Sequence, residues 1–421
     1  MSNLTNYTEE IFKCIRCGAC RAVCPTFGEE LSEIAVARGR MALVEAVMEG
    51  DLSLTDAFEK AVFHCAMCGA CKAGCPSGVD VPAIMEAARA ELVEKKRSEP
   101  LVRFLARKSL KDKKALDRAF SLMALGRAAY GPLAATPLAR YLPYQYEDFK
   151  RNFPKIPKKP LAARIPPISR IRNAKGTVLF YAGCVINYIN PEIGEAAVKV
   201  LNHAGYDVVF VKEELCCGKP LKSLGETEAF RSVARRNVAL LADVKADFVI
   251  SACPTCSLTL KDEYPKILAE SPESDAADAA AGLGAKVRDI NEFLMHETDF
   301  ITKLDAAEMV ITYHDPCHLC FGMGVKKEPR ELLDAATLGG LIEMEEASRC
   351  CGFGGTFSFL NYELSGKIAN RKVKNIIKTG APAVVTACPG CMMHLKDALG
   401  QAGSDTATFH TLQIYEKAIK K

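Results

Sequence analysis

The feature that most constrains this chain is the grouping of its 19 cysteines, which fall into C-x-x-C, C-C and C-P-x-C clusters. A disulfide framework would scatter them; thiols grouped this way are metal ligands. Two internal duplications account for nearly all of them. Cys14, Cys17, Cys20 and Cys24 recur at Cys65, Cys68, Cys71 and Cys75, each offset by 51. Cys184, Cys216, Cys217, Cys253 and Cys256 recur at Cys317, Cys350, Cys351, Cys388 and Cys391, with offsets of 133 to 135. The chain therefore holds two different repeated modules.

The first repeat reads C-x-x-C-x-x-C-x-x-x-C-P, from Cys14 to Pro25 and again from Cys65 to Pro76, which is the bacterial ferredoxin run. Three closely spaced cysteines wrap one face of a cubane. The fourth, displaced and turned by proline, reaches the other cluster. That rule assigns Cys14, Cys17, Cys20 and Cys75 to one 4Fe-4S cluster and Cys65, Cys68, Cys71 and Cys24 to a second. Gly18 and Gly69 lie inside the runs, where a missing Cβ lets the backbone approach a cluster and leaves amide protons for its sulfurs. Two zinc sites need only paired cysteines and leave the triplet and the C-P unexplained.

In the second repeat, TVLFYAGC and FVISACPTC correspond to MVITYHDPC and AVVTACPGC. Each unit reads strand, cysteine, helix, strand, Cys-Cys, helix, strand, Cys-Pro-x-Cys. Short apolar runs alternating with helical patterns predict parallel α/β layers with the cysteines at strand ends, where such sheets place their sites. Five thiolates per unit exceed what one cubane requires, and adjacent cysteines cannot easily direct both sulfurs to one ordinary cubane. One or two further iron-sulfur clusters are expected here. A noncubane 4Fe-4S form with a bridging thiolate is the natural geometry, and zinc in one unit is the alternative. The proline after Cys253 and after Cys388 suits a first helical turn, whose amide protons and dipole favour an anionic cluster.

Cys320 has no counterpart in the first unit, where Asn187 holds the aligned position, and reads as a spare thiol. His64, His314, His318 and His394 adjoin ligand cysteines and are expected to hydrogen-bond or pack rather than ligate.

The expected fold is α/β overall. A helical ferredoxin-type domain occupies 1–95 and a basic, helical then proline-rich connector 96–175. Two small repeated α/β cysteine-rich domains follow at 176–300 and 301–421. ARGRMALVEAVMEG, with Met41, Val44, Ala46 and Val47 on one face, predicts a helix between the ferredoxin runs. Pro154, Pro157, Pro160, Pro166 and Pro167 predict an extended second half of the connector.

The net charge of +4 conceals an asymmetry: residues 95–175 carry 21 Lys and Arg against 5 Asp and Glu, so the remainder is acidic. Such a segment suits an acidic partner or anionic lipid. Its aromatic residues show no stacking pattern with the charges, so no nucleic-acid partner is expected. No apolar run is long enough to span a membrane, and MSNLTNYTEEIFKC shows no leader pattern. A cytoplasmic location is expected, with peripheral contact on the inner face of the cell membrane. Neither a G-x-x-x-x-G-K-[ST] loop nor a strand-linked G-x-G-x-x-G occurs, so any flavin or nicotinamide belongs to another subunit.

CIRCGACRAVCP, ARGRMALVEAVMEG, CAMCGACKAGCPSGVD, YHDPCH, RCCGFGGTFS and TACPGCMMHL together resemble the iron-sulfur subunit of glycolate oxidase and its lactate dehydrogenase relatives. Their cysteine-rich (CCG) units are also found in heterodisulfide reductase. The resemblance covers nearly the whole chain. It implies an oxidoreductase subunit without catalytic residues of its own, whose FAD-containing partner oxidises a 2-hydroxy acid such as lactate or glycolate. Electrons then pass to a quinone, an electron-transfer flavoprotein or a membrane subunit. The family's ligands map onto the ferredoxin and repeat cysteines named above. Both C-P-x-C pairs are complete, which leans towards lactate-type or heterodisulfide-reductase-like members. The alternative it carries is a catalytic subunit whose CCG-unit cluster performs disulfide or quinone chemistry.

Overall fold

Proline and glycine set the boundaries of the N-terminal helices. Cys24 is extended because a proline disfavours the helical conformation in the residue before it, and Pro25 then opens the helix Pro25–Glu30. The next helix, α1 (Ala37–Glu49), stops at Gly50, whose φ of +83° is left-handed. It buries Met41 and Val44 against Phe58 and Val62 of α2 (Asp56–Phe63) and Ile84 and Met85 of α3 (Val81–Glu94). The side chain of Asp80 caps α3 by accepting from the Ala83 amide at 3.2 Å. The computed structural model describes residues 4–95, 100–134, 156–270 and 274–419. Pro154 and the connector residues 135–155 lie outside the described residues.

Two helices follow, α4 (Pro100–Leu110) and α5 (Lys113–Ala134). Leu116 of α5 is buried in the core of the next unit, and Phe120 stacks on Tyr188 with ring centroids 4.3 Å apart. The segment expected to be merely extended also contributes a two-residue edge strand, β1 (Ile168–Ser169). Proline tolerates an edge position, so Pro166 and Pro167 can lead directly into it.

The first cysteine-rich unit is a sheet ordered β1-β3-β2-β4-β5, with β2 Gly176–Tyr181, β3 Tyr206–Val209, β4 Phe248–Ser251 and β5 Val287–Asp289. All neighbours are parallel except β1 against β3. The second unit is ordered β7-β6-β8-β9, all parallel, with β6 Ile311–His314, β7 Leu341–Ile342, β8 Ala383–Thr386 and β9 Ala407–His410. Strands β2 to β5 therefore repeat as β6 to β9 in the same spatial order. The central strands are buried on both faces, which explains their unbroken apolar runs.

The two units share one core: Val178, Phe180 and Phe293 belong to the same buried cluster as Tyr313, Leu412 and Tyr415. The Tyr415 hydroxyl donates a 2.9 Å bond to Asn291 Oδ1 across the boundary. The ferredoxin-like region is clamped to the first unit by Arg89 of α3. Its guanidinium donates to the Ser223 carbonyl at 2.7 Å, and to those of Cys65 and Val62 at 2.7 and 3.0 Å. Gly225 fits under α3 because it lacks a side chain; a Cβ there would stand 2.4 Å from the Arg89 carbonyl oxygen. Among the described residues no helix is long and apolar enough to cross a membrane.

Candidate metal centres

The N-terminal cysteines line two adjoining cavities. Cys14, Cys17, Cys20 and Cys75 line the outer one, and Cys24, Cys65 and Cys68 the inner one, with Cys71 at the edge of both. The outer cavity thus draws three cysteines from the first run and Cys71 and Cys75 from the second, and the inner one draws three from the second run and Cys24 from the first. Gly18 and Gly69 hold left-handed turns inside the runs, with φ of +84° and +78°. Cys17 is exposed, whereas Cys65 and Cys68 are buried. Arg40 orders the inner loop from behind, donating to the carbonyls of Ala61 at 2.8 Å and His64 at 3.0 Å.

In the cysteine-rich units the strand ends deliver the thiols. Cys253 and Cys388 follow β4 and β8 and sit at the N-caps of α6 (Pro254–Leu258) and α7 (Pro389–Gln401), with proline in the first turn of each. The Cys184 and Cys216 sulfurs lie 3.4 Å apart, as do those of Cys351 and Cys391. Each adjacent pair is anchored by different chemistry. In the first unit Asn237 donates to the Cys216 carbonyl at 3.1 Å and Tyr264 to that of Cys217 at 2.9 Å. In the second, Ser365 donates to the Gly352 carbonyl just after the pair at 2.8 Å, and the buried Lys372 ammonium holds the loop before it, donating to the Ala347 carbonyl at 3.1 Å. Burial lowers that lysine to about 8, the nearby Cys351 and Cys350 opposing the shift. Buried Glu214 beside Cys184 accepts from the Gly183 amide at 2.8 Å, and burial raises its carboxyl well above the usual range.

Contacts between sites are the feature that the linear sequence does not display. The Cys68 thiol meets Cys350, which also meets Cys317. Cys253 meets Cys388 across the boundary between the units. Within the first unit the contacts run from Cys253 through Cys256, Cys217 and Cys216 to Cys184. In the second they run from Cys388 through Cys391 and Cys351 to Cys350. The repeat cysteines and Cys68 therefore form one connected group of neighbouring thiols.

His318 sits where three of these loops converge. It follows Cys317, its Nδ1 lies 2.8 Å from the Thr255 hydroxyl between Cys253 and Cys256, and its ring reaches the Met67 carbonyl of the inner ferredoxin loop. Of the other histidines beside these cysteines, His64 lies 3.5 Å from Glu30, and His394 Nε2 lies 3.3 Å from Ser365 Oγ. Cys320 is buried in the short helix His318–Met323, and burial pushes its thiol up to about 11.

The donor chemistry fits iron-sulfur clusters. All 19 cysteines are free of disulfides, and soft thiolates in fours and fives suit iron-sulfur centres. Burial raises Cys65 and Cys71, so these thiols lose their protons to a metal rather than to water. Sequence reasoning named the cysteines but missed Arg40, Arg89 and Lys372, because a buried cation leaves no local pattern.

Comparison with known proteins agrees with this geometry. The cysteine-rich domain family matches residues 178–261 and 311–396, and the 4Fe-4S dicluster domain family matches 10–79. The chain is 31% identical to a probable glycolate oxidase iron-sulfur subunit of Bacillus subtilis, over 94% of this chain and 90% of that protein. It is 26% identical to one of the subunits of the dihydromethanophenazine:CoB–CoM heterodisulfide reductase of Methanosarcina barkeri, over 97% and 94%. Lactate utilization protein A of Bacillus subtilis is 27% identical over 56% of this chain and 98% of its own length.

Proposed function

Since the chain belongs to the family of glycolate oxidase iron-sulfur subunits, we propose that it is the electron-carrying subunit of a 2-hydroxyacid dehydrogenase complex. An FAD-containing partner oxidises lactate, glycolate or a similar substrate. This chain breaks no substrate bond and connects that flavin to a quinone or another carrier.

The observation that carries this reading is the order of the sites. The outer ferredoxin cavity opens at Cys17, the inner one touches the second cysteine-rich unit at Cys68 and Cys350, and that unit touches the first at Cys253 and Cys388. Iron-sulfur clusters supply one-electron carriage when bound. The chain's own task is to hold four thiolate sets at successive contacts and to bury the inner ones from water. Cys14, Cys17, Cys20 and Cys75 hold the outer cluster, and Cys24, Cys65, Cys68 and Cys71 the inner one. Each group of five repeat cysteines holds one more, for which the adjacent pair favours a noncubane form.

Metal analysis with paramagnetic resonance on anaerobically purified protein, co-expressed with its neighbouring genes, tests this. About 16 iron atoms per chain, from four 4Fe-4S clusters, with a co-purifying flavoprotein, are expected. About 8 iron atoms plus zinc would confine electron carriage to the ferredoxin-like region and defeat the relay.

The heterodisulfide reductase relative, which matches 97% of this chain, supports a second reading in which a cysteine-rich unit itself performs disulfide or quinone chemistry. Reduction of a disulfide by the isolated chain with an artificial donor would favour it over the relay.

A further inference from the structure

The two cysteine-rich units differ at the residue three places before their first cysteine. In the first unit it is Tyr181, whose hydroxyl turns to the Leu215 carbonyl and donates a 2.7 Å bond. In the second it is His314, fully buried at the end of β6. Its Nδ1 lies 3.2 Å from the Ala347 carbonyl. A carbonyl oxygen only accepts, so Nδ1 carries a proton, and a ring buried in this way stays uncharged. Nε2 is then the nitrogen with the free lone pair, and it has no hydrogen-bond partner.

A ring nitrogen of His314 and the sulfurs of Cys351 and Cys391 all lie within 4.8 Å of one another. With Nδ1 committed to Ala347, Nε2 is the donor on offer. An imidazole that gives one N–H to a backbone carbonyl and presents its other nitrogen beside thiolates has the arrangement of a metal ligand.

We propose that His314 is a metal ligand of the second unit, giving it five cysteines and one histidine against the all-cysteine set of the first. The proposal rests on the reading that this unit binds a cluster. Histidine raises the potential of Rieske centres by replacing thiolate; here it joins five thiolates, so it adds a neutral nitrogen donor and leaves the negative charge of the site unchanged. The Lys372 ammonium near Cys351 and Cys350 adds a positive charge beside that site. The duplicated units are thereby made unequal in their donor sets.

The test is electron-nuclear double resonance on reduced holoprotein grown with histidine carrying the heavy nitrogen isotope. The expected result is a nitrogen coupling that changes with the isotope in the wild type. It is lost in His314→Tyr, which copies the first unit. Iron in the second unit without nitrogen coupling overturns the proposal, as does a coupling that survives in H314Y. The wild-type measurement stands even where the variant fails to fold. Zinc in place of iron defeats only the cluster reading. Zinc-edge absorption on the same sample then supports His314 if nitrogen accompanies sulfur around the metal, and overturns it if the shell is sulfur alone. A second unit without metal overturns both.

Discussion

His410 Nε2 donates a 3.0 Å hydrogen bond to the carbonyl of Ala252, joining the last strand of the second unit to the residue before Cys253 in the first. His410 Nδ1 accepts from the Leu412 amide at 3.3 Å, so the bonded ring is neutral with its proton on Nε2. One imidazole thus caps a helix and fixes the seam at which Cys253 meets Cys388.

Acid is expected to weaken that seam. Burial lowers His410 from 6.5 to about 4, so its contribution to stability is complete above 6.5 and is lost as pH falls through about 4. The effect is on the order of 3 kcal/mol. Denaturant midpoints measured across this window check it; a His410→Gln variant should show a shallower dependence than the wild type.

Lys219 and Lys222 of the first unit meet Glu86 of α3 and Glu263 in a buried cluster, with Lys219 Nζ 2.7 Å from Glu86. Burial opposes charge on Glu263, yet the two lysines hold it down to about 2. Lys219→Met leaves two carboxylates sharing one cation, and should destabilise the chain by about 3 kcal/mol, as for other broken buried pairs. Limited proteolysis between α3 and α4 should accelerate in parallel. An unchanged denaturant midpoint would contradict this account.

Replacing Cys75 should empty the outer ferredoxin site rather than the inner one. In Cys75→Ala the resonance of the outer cluster is expected to disappear, with a loss of roughly four iron atoms per chain. Cys24→Ala should remove the inner resonance instead. The opposite pattern would mean that each run closes on its own fourth cysteine.

Helix α4 turns Leu101, Phe104 and Leu105 outward at 61%, 47% and 53% exposure, and the Lys108 ammonium lies 5.6 Å from the Phe104 ring centre. An apolar ridge bordered by Lys108, Lys111 and Lys114 fits an anionic membrane surface. Charge reversal at Lys111 and Lys114 should weaken binding to anionic vesicles by about 1 kcal/mol for each cation removed, without altering iron content. Lys113 is unsuited to this test: it donates to Asp117 and to the Tyr188 hydroxyl, so its loss would disturb the packing of α5. Equal binding to neutral and anionic vesicles would reject the surface.

Much of this architecture was legible in the sequence because cysteine spacing is local. The apolar runs that became β2, β4, β6 and β8 stand directly before cysteines, and the prolines after Cys253 and Cys388 mark helix starts. Strands β5 and β9 escaped notice, since three or four residues such as Val287–Asp289 carry too little alternation to stand out. Contacts such as Cys68 to Cys350 depend on how the units pack, which spacing within a run does not encode. The contrast between Tyr181 and His314, by comparison, was open to view once the repeats were aligned. Proximity to a ligand cysteine suggested packing for His314; only its unpartnered Nε2 distinguishes it from His64 and His394.

On the relay proposed above, the exposure of Cys17 would make the outer cavity both entrance and weak point. Thiolates open to solvent are the first to climb the oxidation ladder, while those behind the Arg89 clamp are shielded. Aerobic damage should therefore disconnect the molecule from its partner before it erodes the interior. A chain aged in air would keep much of its iron and lose its throughput, and repair would need to reach only the surface.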